Sequence, residues 1–161
     1  MEHEDVMHVL NDPLAQQLLQ SPLLARLAYN GVDGFPRVIP VGYVWDDTRF
    51  ITCTATNAPK VRALEANPKV ALTIDTGVDT TPPQVLLVRG TATVDIVDGV
   101  PPEHLEASTK ALPPEQWPEF EEQASAIYQQ MARIRIVPDW AKLLDFETRF
   151  PSAVADIVNP N

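Results

Sequence analysis

Cysteine is almost absent from this 161-residue chain: Cys53 stands alone, so no disulfide can form within it. Basic residues are also scarce, 12 Lys and Arg against 22 Asp and Glu, giving a net charge of −10. Broad contact with nucleic acid or an anionic membrane needs a basic face and is excluded as an expectation. A small anionic ligand is a separate matter, because local potential need not follow net charge. The three histidines, His3, His8 and His104, are scattered and offer no metal-ligand spacing, so no metal is expected. Apolar runs such as VLLV at 85–88 fall far short of the roughly 20 residues of a spanning helix. The start, MEHEDVMHVL, lacks the basic segment and apolar core of a signal peptide, which points to the cytoplasm. GxGxxG, GxxxxGK, HExxH, GxSxG and CxxC are all missing, and no catalytic side chain is assigned.

What is present is a regular alternation of β-prone runs and turn residues, with 45% hydrophobic residues, enough for one sizeable core and one domain over 1–161. Asp12-Pro13 reads as a helix start and Ser21-Pro22 as its end. Three β-prone runs follow, LARLAYN (24–30), RVIPVGYVW (37–45) and RFITCTAT (49–56), separated by Gly, Asp and Pro, and they read as an antiparallel meander. KVALTID (69–75) alternates as a strand, and QVLLVRGTATVDIVD (84–98) reads as one long strand with Gly90 at a bend or bulge. Residues 100–132 read as a two-helix insertion, the second helix amphipathic through Phe120, Ala124, Ile127, Tyr128 and Met131. RIRIV (133–137) returns to period two. Strands with helices inserted at one end predict an α+β fold, mainly antiparallel β, of barrel type.

Most candidate functional residues have ordinary explanations. Asp46-Asp47 reads as a hairpin turn, Cys53 as a small buried hydrophobe, and Trp45 and Trp117 as core aromatics, while Trp140 could equally stack on a ligand ring. TNAPKVRALEANPKVALTID (56–75) is different. It predicts a short helix capped by Thr56 or Asn57, with Pro59 in its first turn and Asn67-Pro68 at its end. Lys60 and Arg62 lie near the helix N-terminus, where the helix dipole disfavours cations. The arrangement makes sense either as surface decoration, with Arg62 offset by Glu65, or as a phosphate grip. The grip would combine helix N–H groups, the hydroxyls of Thr54 and Thr56, and Lys60. Spacing alone leaves both open.

The succession RVIPVGYVW, RFITCTAT, PKVRALEANPKVALTID and QVLLVRGTATV, closed by RIRIVPDWAKLLDF, resembles the pyridoxamine 5′-phosphate oxidase-like superfamily of FMN-binding split β-barrels. The resemblance implies a six-stranded split barrel and a homodimer with two flavin sites between the subunits. It places Val38, Ile39, Pro40 and Val41 along the flavin ring, with Arg37 near the tail and Thr52, Cys53 and Thr54 beside the ring and ribityl chain. Lys60, with Arg62 nearby, falls on the phosphate, Gln84 on a glutamine supplied by the partner, and Trp140 near the substrate face. Pro59 stands where relatives that oxidise pyridoxamine phosphate carry a basic residue, Gly42 stands where they carry another, and their C-terminal arginine motif is missing. These departures point away from vitamin B6 oxidation. The 100–132 insertion resembles the branch whose reductases use the deazaflavin coenzyme F-420. The implied function is hydride transfer between FMN or F-420 and a small organic substrate. The alternative is a non-enzymatic carrier of flavin, F-420 or haem.

Overall fold

The computed structural model describes residues 1–158. Helices α1 (His3–Leu10) and α2 (Pro13–Gln20) precede strands β1 (Ala25–Asn30), β2 (Pro36–Val41), β3 (Val44–Trp45) and β4 (Phe50–Ala55). Helix α3 (Pro59–Ala66), strands β5 (Lys69–Asp75) and β6 (Val85–Asp98), helices α4 (Pro102–Thr109) and α5 (Trp117–Ile127), strand β7 (Gln130–Leu144) and helix α6 (Ser152–Val158) complete the chain. α2 begins where the sequence says it should: the Asp12 carboxylate accepts from the Leu14 N–H at 2.9 Å and Pro13 takes the first turn.

One antiparallel sheet of seven strands runs in the order β2-β1-β5-β6-β7-β4-β3. The three runs pair in succession as the expected meander requires, but the middle run, 37–45, is divided at Gly42 and Tyr43. β2 pairs with β1 and β3 with β4, yet β2 and β3 are the two opposite edges of the sheet. Only Gly42 and Tyr43 separate Val41 from Val44, a reach of about 11 Å at most. A sheet whose edges are joined by so short a link must curl until they nearly meet, which makes a barrel split along one seam. Thr52 anchors the link on the β4 side, its hydroxyl donating to the Gly42 carbonyl at 2.8 Å where the β3–β4 hairpin runs on beyond Val44.

Inward positions of β1, β5, β6 and β7 alternate with outward ones. Ala25, Leu27, Leu72, Ile74, Leu86, Val88, Ile134 and Ile136 form the core with Phe50 and Tyr43. Each such large aliphatic contributes roughly 1.5–3 kcal/mol through burial. Helices plug this barrel. α1 adds fully buried Val6 and Leu10, α2 adds Leu18 and Leu19, and α3 adds Ala63 and Leu64.

Gly90 sits at a bulge, as expected. The β6–β7 register shifts there, with Arg89 facing Trp140 and Gly90 facing Pro138, leaving Asp139 as the extra residue. Pro138 cannot donate to the ladder, so the break falls where a proline inside a sheet is tolerated. A Cβ on Gly90 would lie 2.5 Å from the Val137 carbonyl oxygen, so glycine is required by proximity.

Three further expectations are revised. The acidic start is a helix, α1, packed on β7. α3 is capped by Ala58 with no side-chain cap, neither Thr56 nor Asn57 serving. Met131, expected on the second insertion helix, is a fully buried residue of β7.

Candidate functional site

α3 leaves the end of β4 through Ala55, Thr56, Asn57 and Ala58, and its N-terminal end carries the features of an anion site. Pro59 has no N–H, Val61 donates back to the Ala58 carbonyl at 2.9 Å, and no side chain caps the turn. Val61, Ala63 and Leu64 face the barrel. That orientation leaves Lys60 half-buried and Arg62 exposed. Burial holds the Lys60 ammonium below its ordinary pKa, because low polarity penalises the charged form. Among the described residues neither Lys60 nor Arg62 pairs with a carboxylate, and the Arg62–Glu65 pair does not form. Arg26, Arg37, Arg49, Arg133, Arg135 and Arg149 are all ion-paired. In a chain with net charge −10, Lys60 is a partly desolvated cation without its counter-ion.

Beside this turn a cleft of about 540 Å³ is lined by Ala55, Thr56 and Asn57 on one wall and by Ala126, Ile127, Tyr128, Gln129 and Gln130 on the other. Thr54 and Cys53 lie one turn of the pleat back on β4, half-buried, and Thr52 is buried against Gly42. The Cys53 thiol is pushed up to about 12, chiefly by burial and then by the nearby Glu103 carboxylate, which disfavours the thiolate form. β2 lies across the seam. Val38 and Pro40 face outward, Val38 64% exposed, while Ile39 and Val41 face the core. Arg37 is held in its own hairpin, bonded to Asp33 at 2.6 Å and to the Phe35 carbonyl at 3.0 Å.

Gln84 and Trp140 lie elsewhere. Ala55 faces Met131 across β7, whereas Trp140 lies nine residues further along that strand, about 30 Å of extended chain. Gln84 immediately precedes the Val85–Leu144 pair, beyond even Trp140. Trp140 carries the Arg89 guanidinium 4.5 Å above its ring. Thr52, Cys53 and Thr54 thus lie on β4 just ahead of the turn into α3, which carries Lys60 and Arg62, whereas Gln84 and Trp140 lie far along the sheet. Trp45 packs on Phe50 at 4.8 Å as a core residue, and Trp117 is 46% exposed with its indole N–H bonded to the Leu112 carbonyl. No cluster of metal-ligating side chains exists among the described residues. No helix among them is long and apolar enough to cross a membrane.

Gly42 lies against α4, where an added Cβ would make ordinary contact with Ala107 at 3.6 Å. Sequence reasoning missed this wall of the cleft because nothing local to 126–130 marks it as facing residues 55–57.

The model of the pyridoxamine 5′-phosphate oxidase family matches residues 12–141, and the chain belongs to that family. Solved structures share its fold. An F-420 reductase is 23% identical, with 79% of this chain and 94% of that one covered at a TM-score of 0.54. The heme storage protein HutZ from Vibrio cholerae is 18% identical, with 83% and 93% covered at 0.59. An FAD-binding protein from Mesorhizobium loti is 19% identical, with 78% and 86% covered at 0.51. No curated protein matches the chain. The fold is thus an α+β split barrel, one shared with an F-420 reductase, an FAD-binding protein and a heme storage protein.

Proposed function

We propose that the protein is an oxidoreductase that holds FMN or F-420, gripping the cofactor phosphate at the start of α3 and transferring hydride to or from a small organic molecule. The observation that carries this reading is Lys60, half-buried, without a carboxylate and beside an uncapped helix end. A phosphate there would restore the lost counter-charge of Lys60 and lie at the positive end of the α3 dipole. The bound cofactor supplies the hydride chemistry. The chain's own part is to lay the Val38 to Val41 backbone and the Thr52 to Thr54 backbone along the two sides of the ring, to neutralise the phosphate, and to keep water from one ring face.

The site would be completed by a second copy. Val38, Ala28, Ala71, Arg89 and Trp140 stand in one row across the outward face of the sheet through the pairs Val38–Ala28, Ala28–Ala71, Ala71–Arg89 and Arg89–Trp140. This face joins exposed Val38 to small side chains, the composition of a surface that packs on another protein. A homodimer formed through it would carry Gln84 and Trp140 of each copy toward the cleft of the other. A carrier of haem or flavin is the second reading, favoured by the fold shared with HutZ.

The test is the visible spectrum, released-ligand mass and light-scattering mass of the purified protein. One flavin or deazaflavin per subunit of a dimer is expected, bleached by a chemical or enzymatic hydride donor. A bound haem supports the second reading. A colourless monomer that gains no thermal stability from FMN or F-420 overturns both.

A further inference from the structure

α4 and α5 lie side by side, yet they bury almost nothing of each other. α4 has no buried residue and α5 only Ala124. Between them is a cavity of about 310 Å³ lined by His104 and Ser108 from α4, by Phe120, Gln123, Ala124 and Ile127 from α5, and by Tyr128. His104 and Ser108 are four residues apart, and Phe120, Ala124 and Ile127 recur at helical spacing, so each helix turns one whole face to the gap. The gap opens to solvent past exposed Gln123 and Ile127 and is of a size that holds a small ligand.

Its walls define what fits. Aromatic faces bracket the space: the His104 ring lies 6.1 Å from Phe120 and 6.0 Å, edge-on, from Tyr128. No charged side chain lines it, while Glu119, Glu121 and Glu122 on α5 repel anions from its surroundings. Burial holds His104 below its ordinary pKa, which favours the uncharged imidazole. The cavity shares Ile127 and Tyr128 with the cleft beside α3, so the two are neighbours across one pair of side chains.

We infer that the α4–α5 cavity binds a neutral, planar aromatic molecule of one or two rings carrying a hydroxyl or carbonyl oxygen, and that this is where substrate lies beside the cofactor. The second half rests on the cofactor reading above. The ring stacks among Phe120, Tyr128 and His104, and its oxygen bonds to His104, Ser108 or Gln123.

Calorimetric titration of the full chain with 2-naphthol tests this. Saturable binding at one per subunit is expected, at least about tenfold tighter than naphthalene-2-sulfonate of the same ring size, and weakened about tenfold or more by Ala124→Leu. Ser108→Leu, at a half-buried position, is expected to weaken it similarly and guards against misfolding of the first variant. Absent binding to the wild type, equal affinity for the sulfonate, or unchanged affinity in a folded variant overturns the site. FMN and F-420 titrations separate the two claims. If 2-naphthol binds and neither cofactor does, the cavity stands and the cofactor reading fails. If a cofactor binds and 2-naphthol does not, the reverse holds.

Discussion

Replacing Lys60 with alanine is expected to weaken FMN, and F-420 if that is the cofactor, by about 2 kcal/mol, roughly 30-fold, while changing riboflavin affinity by less than about threefold. The difference between the two ligands is the phosphate, so the ratio isolates the contact from any general loosening of the site. A charge-assisted hydrogen bond at a half-buried lysine is stronger than one in open water, because the ammonium has already lost part of its hydration. Arg62 is exposed, so Arg62→Ala should cost less and its effect should fade with added salt. Equal loss of FMN and riboflavin in the Lys60 variant would remove the phosphate from α3. The measurement is a pair of fluorescence or calorimetric titrations on each variant.

Gly90→Ala is expected to lower the unfolding free energy by about 3 kcal/mol in urea denaturation, an exceptional cost for adding a single methyl group. The new Cβ would sit 2.5 Å from the Val137 carbonyl oxygen and 3.0 Å from the Ile136 Cγ2. The first is backbone in the centre of the sheet and cannot swing aside. Relief requires β6 and β7 to separate where they are already interrupted by the Arg89/Gly90 register shift. Thr91→Ala, one residue on and facing outward, serves as the control and should change stability by less than about 0.5 kcal/mol. A Gly90→Ala protein as stable as that control would show that the bulge has slack.

Local signals were legible in the residues wherever the physics is local. Asp12-Pro13 announces a capped helix, the Val61 and Leu64 spacing gives α3 its buried face, and Gly90 marks the bulge. The order of motifs from 37 to 98 carries the family. Other features depend on distant partners. β2 and β3 read as one strand, 37–45, and only pairing with β1 and β4 reveals its two halves as the two lips of a seam. Ala58 became the α3 cap because the turn from β4 is closed by the Ala58 N–H to the Ala55 carbonyl, a backbone bond that needs no side chain. α1 could have been found: Val6 and Leu10, four residues apart, fully buried, are the start of a helical stripe within the acidic opening. At the candidate site, Lys60 and its neighbours were readable because one loop carries them. The 126–130 wall was not, since it arrives from the far end of the insertion.

That insertion hangs from the tip of a hairpin. Asp98 pairs with Gln130, and the Gly99 N–H donates to the Gln129 carbonyl at 2.7 Å, closing the strands before either helix is counted. Roughly 30 residues occupy a place where a tight turn would suffice, and since closure entropy rises only about 0.6 kcal/mol per doubling of length, the excursion costs on the order of 2 kcal/mol. The Arg133–Glu103 ion pair at 3.3 Å, the packing of α4 on β3 and β4, and the Lys110 ammonium 4.3 Å above the Tyr43 ring moor it to the barrel. Because the β6–β7 ladder closes beneath it, the appendage can change length without shifting that register. Any replacement still has to cover Tyr43, so the fitting is exchangeable only as far as it keeps a lid on that one core ring.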